Sequence, residues 1–482
     1  MMADSANKSA FLASVAAVAS VGVLSLVVLN RALTWRPSKN RKLRYTSSPR
    51  AESVQDTVRR LRENMHRKKT CRYVADETTE VWSAYWREQQ LYGIHDMLRE
   101  NALELYEAAK ADSGKPYSEF VLEINAILMD IRGLVREIRS WMQPEKVKTP
   151  MFLQPSSSFV QYEPYGLALV ISAWNFPALT AIMPLCAALS AGNACILKPS
   201  ECAPNQADCF AKYMAKYVDP EAVAVVLGEA DVAKQCVASD IDFCIFTGSG
   251  RIGVQVAKAC AERHIPYVLE LGGKCPCIVD TNCNLEVMAR RVIQGKLVNA
   301  GQICLSPDHM IVIGDEQRAK KIINEALIPE IKRQQGEVPF DNPELMTRII
   351  NSTHFNRIKK LIQGANKFIV QGGKMDESIN FIEPTVMLMD PVEAEELEIM
   401  KEEIFGPVLP VVYLASLEQA VEFISRRQNP LSVYMFSRNN KNISYITSRV
   451  STGSMCINDC CFHAMNPDLP FGVSFIFFEK KH

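Results

Sequence analysis

Short apolar runs alternate with helical stretches from residue 166 onward. The intervening stretches carry apolar residues at helical spacing, for example at Phe210, Met214 and Tyr217. A second alternating set extends from about 277 to 455. Strands that alternate with helices predict a mainly parallel sheet covered on both faces, which is an α/β fold. The strands are predicted at 166–172, 193–197, 222–226 and 243–246, and a second helix is marked by Val254, Val256, Ala257 and Cys260.

The region from about 51 to 145 has a helical pattern throughout. After it, residues 151–164 are extended, with turn residues between apolar ends, and predict a projecting hairpin. The helical positions are Met97, Leu98, Leu103, Leu105 and Ala108, then Ile124, Ile127, Leu128, Ile131 and Leu134.

Residues 9–30 contain no charged side chain. A run of about 20 apolar residues can span a bilayer as a helix. Basic residues follow from Arg31 to Arg44, and the basic side of a span stays in the cytoplasm. The pattern predicts a membrane anchor and basic linker over 1–50, with a cytosolic body. The alternatives are a cleaved signal peptide, a mitochondrial presequence and a buried helix, although a signal peptide normally has a shorter apolar core.

Composition adds limits on size, partners and metals. The 482 residues exceed one usual hydrophobic core, so two or more domains are expected. Lys+Arg and Asp+Glu are both 54, and this balance gives no sign of a nucleic-acid partner. The 15 cysteines lie mostly singly in apolar stretches, which predicts buried free thiols and a reducing compartment. Cys275 and Cys277, like the cysteines at 456–461, lack the spacing of zinc ligands, so no metal is predicted.

A glycine-rich segment follows the predicted strand at 243–246. Residues 247–253 (TGSGRIG) contain G-x-G-x-x-G through Gly248, Gly250 and Gly253, before a predicted helix. This context favours a cofactor phosphate at the helix N-terminus, where backbone N–H groups are available. A tight strand-to-helix turn is the alternative. A literal Rossmann interpretation would also assign Glu270 to the cofactor ribose.

Two further segments offer a carboxylate and a thiol beside glycines. Glu270 precedes Gly272 and Gly273, where a backbone can approach closely, although a turn carboxylate fits as well. Cys304 follows Gly301 in a polar break between apolar segments, where a thiol can be activated as a thiolate. With so many other cysteines present, the alternative of one more buried thiol stays open.

Polar residues also follow two neighbouring predicted strands. Trp174 and Asn175 come after the strand at 166–172, and Lys198 and Glu201 come after the next. Ligands bind at the carboxyl ends of strands in open α/β sheets. Asn175 therefore offers an N–H donor, and the other pair a cation and an acid, at one edge.

Taken together and in this order, these segments resemble the aldehyde dehydrogenase family over about residues 55–472, and in particular its class 3-like, fatty-aldehyde-type branch. The matching segments are KPYSE (115–119), PEKVKTP (144–150), QPSSSFVQYEPYG (154–166), ISAWNFP (171–177), LKPSE (197–201), FTGS…G (246–253), ELGGK (270–274), GQIC (301–304), EEIFGP (402–407) and LPFG (469–472).

The resemblance implies an aldehyde dehydrogenase fold, with a Rossmann-like cofactor domain, a catalytic α/β domain and a small oligomerising β-extension. It implies that Cys304 attacks the aldehyde, giving a thiohemiacetal and then a thioester. Asn175 and the Cys304 backbone N–H would hold the oxyanion. Glu270 would activate water to release the carboxylic acid, which replaces the ribose assignment.

The resemblance also implies the cofactor contacts. Lys198 and Glu201 would contact the adenosine ribose, and Glu403 the nicotinamide ribose, with Phe405 nearby. Glu201 would repel a 2′-phosphate, which favours NAD, with NADP tolerated. The expected assembly is a homodimer, and the expected substrate is a medium- or long-chain aldehyde. The remaining cofactor-binding residues are Trp174, Gly248, Ser249 and Gly253.

The expected domains follow from these assignments. Residues 51–276 form the NAD-binding domain, with the β-extension at about 150–164, and residues 277–455 form the catalytic domain. Residues 456–482 form a C-terminal segment that departs from the family after residue 472, where Val473 replaces a glycine and the chain continues as an apolar tail, as in a truncated end. Two rivals remain: a CoA-acylating relative, which would not need Glu270, and a non-catalytic or impaired anchored homologue.

Overall fold

The computed structural model describes residues 45, 52–69, 83–466 and 468–472. The predicted membrane span at 9–30 and the apolar tail from Val473 lie outside these residues. Within the described part of the chain, no helix is both long and apolar enough to cross a bilayer.

The chain divides into two compact units. The first comprises residues up to Asp112, Phe120–Thr247 and Arg251–Leu269, and the second comprises Ser113–Glu119, Gly248–Gly250 and Glu270 onward. Each unit contains one main sheet and its own hydrophobic core. The expectation that the first binds the cofactor and the second carries catalysis stays a prediction.

The main sheet of the first unit has five strands in the order β5-β4-β3-β6-β7. β3 lies parallel to β4 and β6, and β4 lies parallel to β5. The strands are β3 (Leu167–Ile171), β4 (Ala194–Lys198), β5 (Val223–Val225), β6 (Phe243–Gly248) and β7 (Tyr267–Leu271). The helices before and between them are Val54–Lys69, Ala84–Glu100, Ala102–Ser113, Tyr117–Trp141, Pro177–Ser190, Pro204–Tyr217, Ala230–Ala238 and Gly250–Ala261.

The four predicted strands of this sheet are confirmed. The fully apolar run Leu167–Ile171, for example, forms a strand that is buried along its whole length. The helical pattern is also confirmed, but not every apolar position points inward. Leu103 is 68% exposed and Val254 is 54% exposed. Periodicity identified these helices correctly but did not establish which of the apolar residues are buried.

The predicted hairpin exists with different strands. β1 (Glu145–Val147) pairs antiparallel with β2 (Ser158–Val160), and Met151–Leu153 forms a 3-10 turn between them. The prediction placed the whole hairpin within 151–164, so its first strand was missed. That strand is short and carries charged residues, and all of it is exposed, so it lacks the apolar alternation of a half-buried strand.

The second unit contains a seven-stranded sheet in the order β10-β13-β14-β9-β8-β15-β16, and a separate pair, β11-β12. Only the β10–β13 pairing in the seven-stranded sheet is antiparallel. The strands are β8 (Pro276–Val279), β9 (His309–Ile313), β10 (Ile369–Gln371), β11 (Met375–Asp376), β12 (Phe381–Ile382), β13 (Thr385–Met389), β14 (Val408–Leu414), β15 (Ser432–Phe436) and β16 (Ser454–Ile457). The α-helices are Leu285–Leu297, Glu316–Ile322, Ile328–Gln335, Ser352–Gly364, Pro391–Glu396, Glu398–Lys401, Leu417–Ser425 and Asn440–Thr447.

Candidate active site

Three predicted site segments follow adjacent parallel strands of the five-stranded sheet. Ile171 of β3 pairs with Lys198 of β4 on one side and with Phe246 of β6 on the other. Trp174 and Asn175 follow β3 directly, so they lie at the same carboxyl edge as the ends of β4 and β6. Parallel strands thus gather these residues from separate parts of the sequence.

The loop that carries Asn175 is held by a buried acid. Glu123 Oε1 accepts hydrogen bonds from the backbone N–H groups of Ala178 and Leu179, at 2.9 and 3.0 Å, in the first turn of helix Pro177–Ser190. Thr180 Oγ1 donates to the carbonyl of Ala173 at 2.9 Å. Asn175 lies between these contacts and is itself buried.

The predicted cofactor-ribose pair forms an ion pair. Lys198 Nζ lies 2.5 Å from Glu201 Oε2, with the lysine buried and the acid 42% exposed. The glycine-rich segment ends β6 at Gly248 and leads into the helix that begins at Gly250. Ser249 is exposed at this helix start, and Gly253 is buried in its first turns.

Cys304 of the second unit follows three consecutive residues with left-handed backbone. The φ angles of Asn299, Ala300 and Gly301 are 54°, 53° and 71°. A Cβ atom on Gly301 would lie 2.3 Å from the carbonyl oxygen of Gly406, so this position requires glycine. Non-glycine residues rarely adopt this region, and such strain persists only where surrounding contacts hold it.

Two side chains supply those contacts. Glu119 Oε2 accepts from the Asn299 backbone N–H at 3.0 Å and from the Thr347 hydroxyl at 2.6 Å. Gln302 Oε1 accepts from the Ile350 N–H at 3.2 Å. The loop before the nucleophile candidate is therefore anchored to distant segments of the chain.

The Cys304 thiol is partly accessible but surrounded by protein. Burial raises the pKa of this thiol well above its ordinary value, and the carboxyls of Glu403 and Glu270 raise it further. Cys275 Sγ donates to the Cys304 carbonyl at 3.3 Å. The thiol is therefore protonated at neutral pH in this state, and its activation requires a base or an added positive charge.

One carboxylate oxygen of Glu270 is available to accept a proton from a molecule that is not part of the protein. Its Oε2 atom is buried and has no hydrogen-bond partner among the described residues. Burial raises the pKa of Glu270 to about 7. A carboxyl group with a pKa near neutrality can both accept and release a proton at physiological pH, as a general base must.

Glu403 lies against the backbone of the Glu270 segment. Its carboxylate occupies the space that a Cβ on Gly272 would need, and it accepts a backbone hydrogen bond from Gly273. Burial, and secondarily the charge of Asp308, raises the pKa of Glu403 to about 8. Phe405 has a φ of 51°, so the backbone turns sharply just after this acid.

The second unit therefore brings together Cys304, Glu270 and Glu403 of the predicted site. It also places polar residues there that sequence reasoning missed: Asn299, Gln302, Lys274 and Asp308. Gln302 and Lys274 stood within recognised segments but had no role that the sequence could supply. The cysteines in the described part of the chain are all free thiols and most are buried, as predicted.

The fold and the comparisons with known proteins together define an NAD(P)-dependent aldehyde dehydrogenase. The sequence model of the Aldehyde dehydrogenase family matches residues 35–472, so the chain belongs to that family. Aldehyde dehydrogenase family 3 member B1 of Homo sapiens is 38% identical over 421 residues, which cover 86% of this chain and 85% of that protein. The predicted class 3-like branch is thereby confirmed.

Two further relatives agree. The dimeric NADP-preferring aldehyde dehydrogenase of Rattus norvegicus is 36% identical over 422 residues, which cover 87% of this chain and 88% of that protein. The solved structure of the substrate-bound state of Staphylococcus aureus AldH has a TM-score of 0.79 at 33% identity, covering 86% of this chain and 88% of that one. The predicted α/β aldehyde dehydrogenase fold is confirmed.

Proposed function

We propose that this enzyme oxidises a medium- or long-chain aldehyde to its carboxylic acid, with Cys304 as the nucleophile. The observation that carries the proposal is the position of Cys304 in the second unit, within electrostatic reach of the carboxyl groups of Glu270 and Glu403. A thiol beside a buried base with a pKa of about 7 is suited to acyl chemistry with a hydrolytic step.

The chain's own residues would divide the work as follows. The partly accessible Cys304 thiol loses its proton to solvent, and the thiolate sulfur forms a bond to the aldehyde carbon. Asn175 and the Cys304 N–H stabilise the resulting oxyanion. A nicotinamide cofactor, when bound, supplies the hydride acceptor. Glu270 then takes a proton from a water molecule, which attacks the thioester carbon and releases the acid and the Cys304 thiol.

The carboxyl edge of the five-stranded sheet fits a dinucleotide. Ser249 is exposed at a helix start where backbone N–H groups are available for phosphate, and Lys198 and Glu201 are paired at the next strand end. Gly248, Gly253 and Trp174 complete the proposed cofactor site. We propose NAD as the preferred cofactor. We also propose that NADP is tolerated, and the NADP-preferring name of a relative supports that part of the proposal.

We also propose a homodimer formed through the β-extension. Met151 is 89% exposed, Phe152 82% and Phe159 60%, and exposed apolar patches of this kind are typical of subunit contacts. A relative is named as dimeric. Sedimentation of a Phe152→Asp, Phe159→Asp variant should show monomers where the unchanged enzyme shows dimers; dimers in both would exclude this surface.

The N-terminal anchor is a separate proposal that rests on the uncharged stretch 9–30 and the basic residues after it. Deletion of residues 1–45 should move the enzyme from the membrane fraction to the supernatant. Recovery of the full-length chain in the supernatant would remove this proposal without affecting the catalytic one.

A series of aldehydes from short to long tests the substrate class. NADH formation should be measured for each aldehyde with the unchanged enzyme and with Cys304→Ser, in the presence and absence of coenzyme A. We expect kcat/KM to rise with chain length, no dependence on coenzyme A, and loss of activity in the variant. A Cys304→Ser enzyme that keeps its activity would refute the assigned nucleophile.

A further inference from the structure

The ammonium group of one lysine in the second unit makes all of its hydrogen bonds within the protein. Lys274 is almost fully buried and forms an ion pair with the carboxylate of Asp308. The same Nζ atom donates to the carbonyl oxygens of Ile399 and Glu402, each at 2.9 Å. An ammonium has three donors, so every one of them is satisfied here.

Asp308 completes the arrangement from the other side. Its Oδ1 atom accepts from the Ile404 backbone N–H at 2.8 Å, and its own backbone N–H donates to the Cys275 carbonyl at 2.8 Å. Lys274 holds the carbonyl of Glu402 and Asp308 holds the N–H of Ile404. The ion pair therefore binds the backbone of the residues immediately before and immediately after Glu403.

The same pair belongs to the two other functional segments. Lys274 ends the Glu-Leu-Gly-Gly-Lys segment that begins with Glu270, and Asp308 lies on the segment that follows Cys304. We propose that Lys274 and Asp308 are positioning residues, which fix Glu403 relative to Glu270 and Cys304 for hydride transfer. This inference rests on the proposed function, because it takes the roles of those three residues from it.

A buried ion pair alone says little about function, since burial of two charges costs free energy that their attraction only partly returns. The backbone contacts distinguish this pair, because they lie on both sides of one functional residue. The pair also acts on Glu403 directly. Asp308 raises the pKa of that carboxyl, while Lys274 and Arg357 lower it, so the position and charge of Glu403 depend on the same groups.

Asp308→Asn is the direct test, because asparagine keeps an oxygen for the Ile404 N–H but loses the charge that holds Lys274. Hydride transfer should be measured as NADH formed in a single turnover, with enzyme in excess over aldehyde. We expect a rate roughly 10²-fold lower, the size of effect that a misplacement of about 1 Å produces. An aldehyde deuterated at the carbonyl carbon should then react more slowly than the unlabelled one.

Asp280→Asn is the matched control. Asp280 is equally buried and belongs to the same unit, where its Oδ2 atom accepts from Ser437 Oγ at 2.6 Å and from Asn442 Nδ2 at 2.8 Å. Its loss should lower the thermal midpoint but leave the single-turnover rate per folded molecule unchanged. Equal rate losses in both variants would mean that Asp308 is merely structural.

Three further variants keep the proposal testable if Asp308→Asn does not fold. Asp308→Glu retains the charge but moves the carboxylate, and should also slow hydride transfer. Lys274→Arg should retain more of the rate than Lys274→Met, because arginine keeps the positive charge and has N–H donors for Asp308 and the carbonyl oxygens, whereas methionine has neither. A normal single-turnover rate in folded Asp308→Glu and folded Lys274→Met would overturn the proposal.

Failure of the proposed function has a different signature. It would appear in the unchanged enzyme, as absence of NADH formation or as activity that survives Cys304→Ser. Failure of the positioning role would leave the unchanged enzyme active and Cys304-dependent, with normal hydride transfer in the Asp308 and Lys274 variants.

Discussion

The side chains of Asn299 and Gln302 each donate a hydrogen bond to the other residue's backbone carbonyl, both at 3.0 Å. Gln302 Nε2 also donates to the Arg348 carbonyl at 3.0 Å. These bonds close a short ring across the left-handed run that precedes Cys304. Cys304, the proposed nucleophile, is thus positioned by a loop that side-chain hydrogen bonds fix, and not by the end of a regular helix.

Gln302→Ala should remove the hydrogen bonds that the Gln302 side chain makes to this loop and its surroundings. The variant leaves the Ile350 N–H and the Arg348 carbonyl without the Gln302 side chain, at a cost of about 1–3 kcal/mol for each buried group left unsatisfied, while the Asn299 carbonyl keeps the Gln302 backbone N–H. We expect a lower thermal midpoint and, because Cys304 is displaced, a kcat lower by roughly 10²-fold.

Asn439→Ala provides the comparison for Gln302→Ala. Asn439 caps helix Asn440–Thr447 through a hydrogen bond from the Lys441 N–H at 3.0 Å. Its loss should cost about 1 kcal/mol of stability and leave kcat unchanged. Should Gln302→Ala likewise affect stability alone, the loop would have no positioning role.

The hydrolytic step should depend on the ionisation of Glu270. Burial raises the pKa of this carboxyl to about 7, so it is mainly protonated below that pH and mainly a carboxylate above it. The thioester hydrolysis rate should therefore rise between roughly pH 6 and pH 8 and then level off. A stopped-flow pH profile measures this rise, and the profile of Glu270→Gln should lack it. A rise of the same midpoint in that variant would assign the base elsewhere.

Glu403 should suppress the reactivity of Cys304 in the free enzyme. Glu403 raises the pKa of the thiol, so Glu403→Gln should increase the thiolate fraction, by about tenfold for each pKa unit recovered. Iodoacetamide labelling at about pH 9, where Glu403 itself is ionised, can be followed by mass spectrometry of the Cys304 peptide. The Cys202 peptide is an internal control, because burial and then the charge of Glu201, not Glu403, raise the pKa of its thiol. Slower labelling of Cys304 in the variant would contradict the prediction.

Glu201 should influence the choice between the two cofactors. Its carboxylate is partly exposed beside Lys198 and would repel a 2′-phosphate. Glu201→Gln should lower KM for NADP by up to about fivefold, since exposed charge interactions are worth up to about 1 kcal/mol, and change KM for NAD much less. Steady-state kinetics with both cofactors gives the ratio, and an unchanged ratio would place the cofactor ribose elsewhere.

Much of the fold was predictable because its physical signals are local. β3 and β4 are fully buried strands, so their sequences are continuous apolar runs that need no long-range information. Glu270 and Cys304 could be singled out because each stands beside glycines in a polar break. That these two residues lie close together depends on tertiary packing, and within the sequence only the family resemblance implied it.

The remaining features depend on contacts between distant residues. Lys274 and Asp308 are ordinary charged residues in the sequence, and only the packed structure shows that they enclose the backbone around Glu403. Glu119 was visible in a recognised segment, but its bond to Asn299 joins residues far apart in the chain. The exposed Leu103 shows the reverse limit, because helical spacing indicates a helix without fixing which face is buried.

The most direct test of the central claim is mass spectrometry of Glu270→Gln after mixing with NAD and a long-chain aldehyde. The variant should release about one NADH per active site and then stall, because hydride transfer does not need the carboxylate but thioester hydrolysis does. The peptide containing Cys304 should carry the acyl group, and the added mass should disappear with hydroxylamine. An acyl group on another cysteine, or no NADH and no adduct from a folded variant that is exposed to both substrates, would contradict the account.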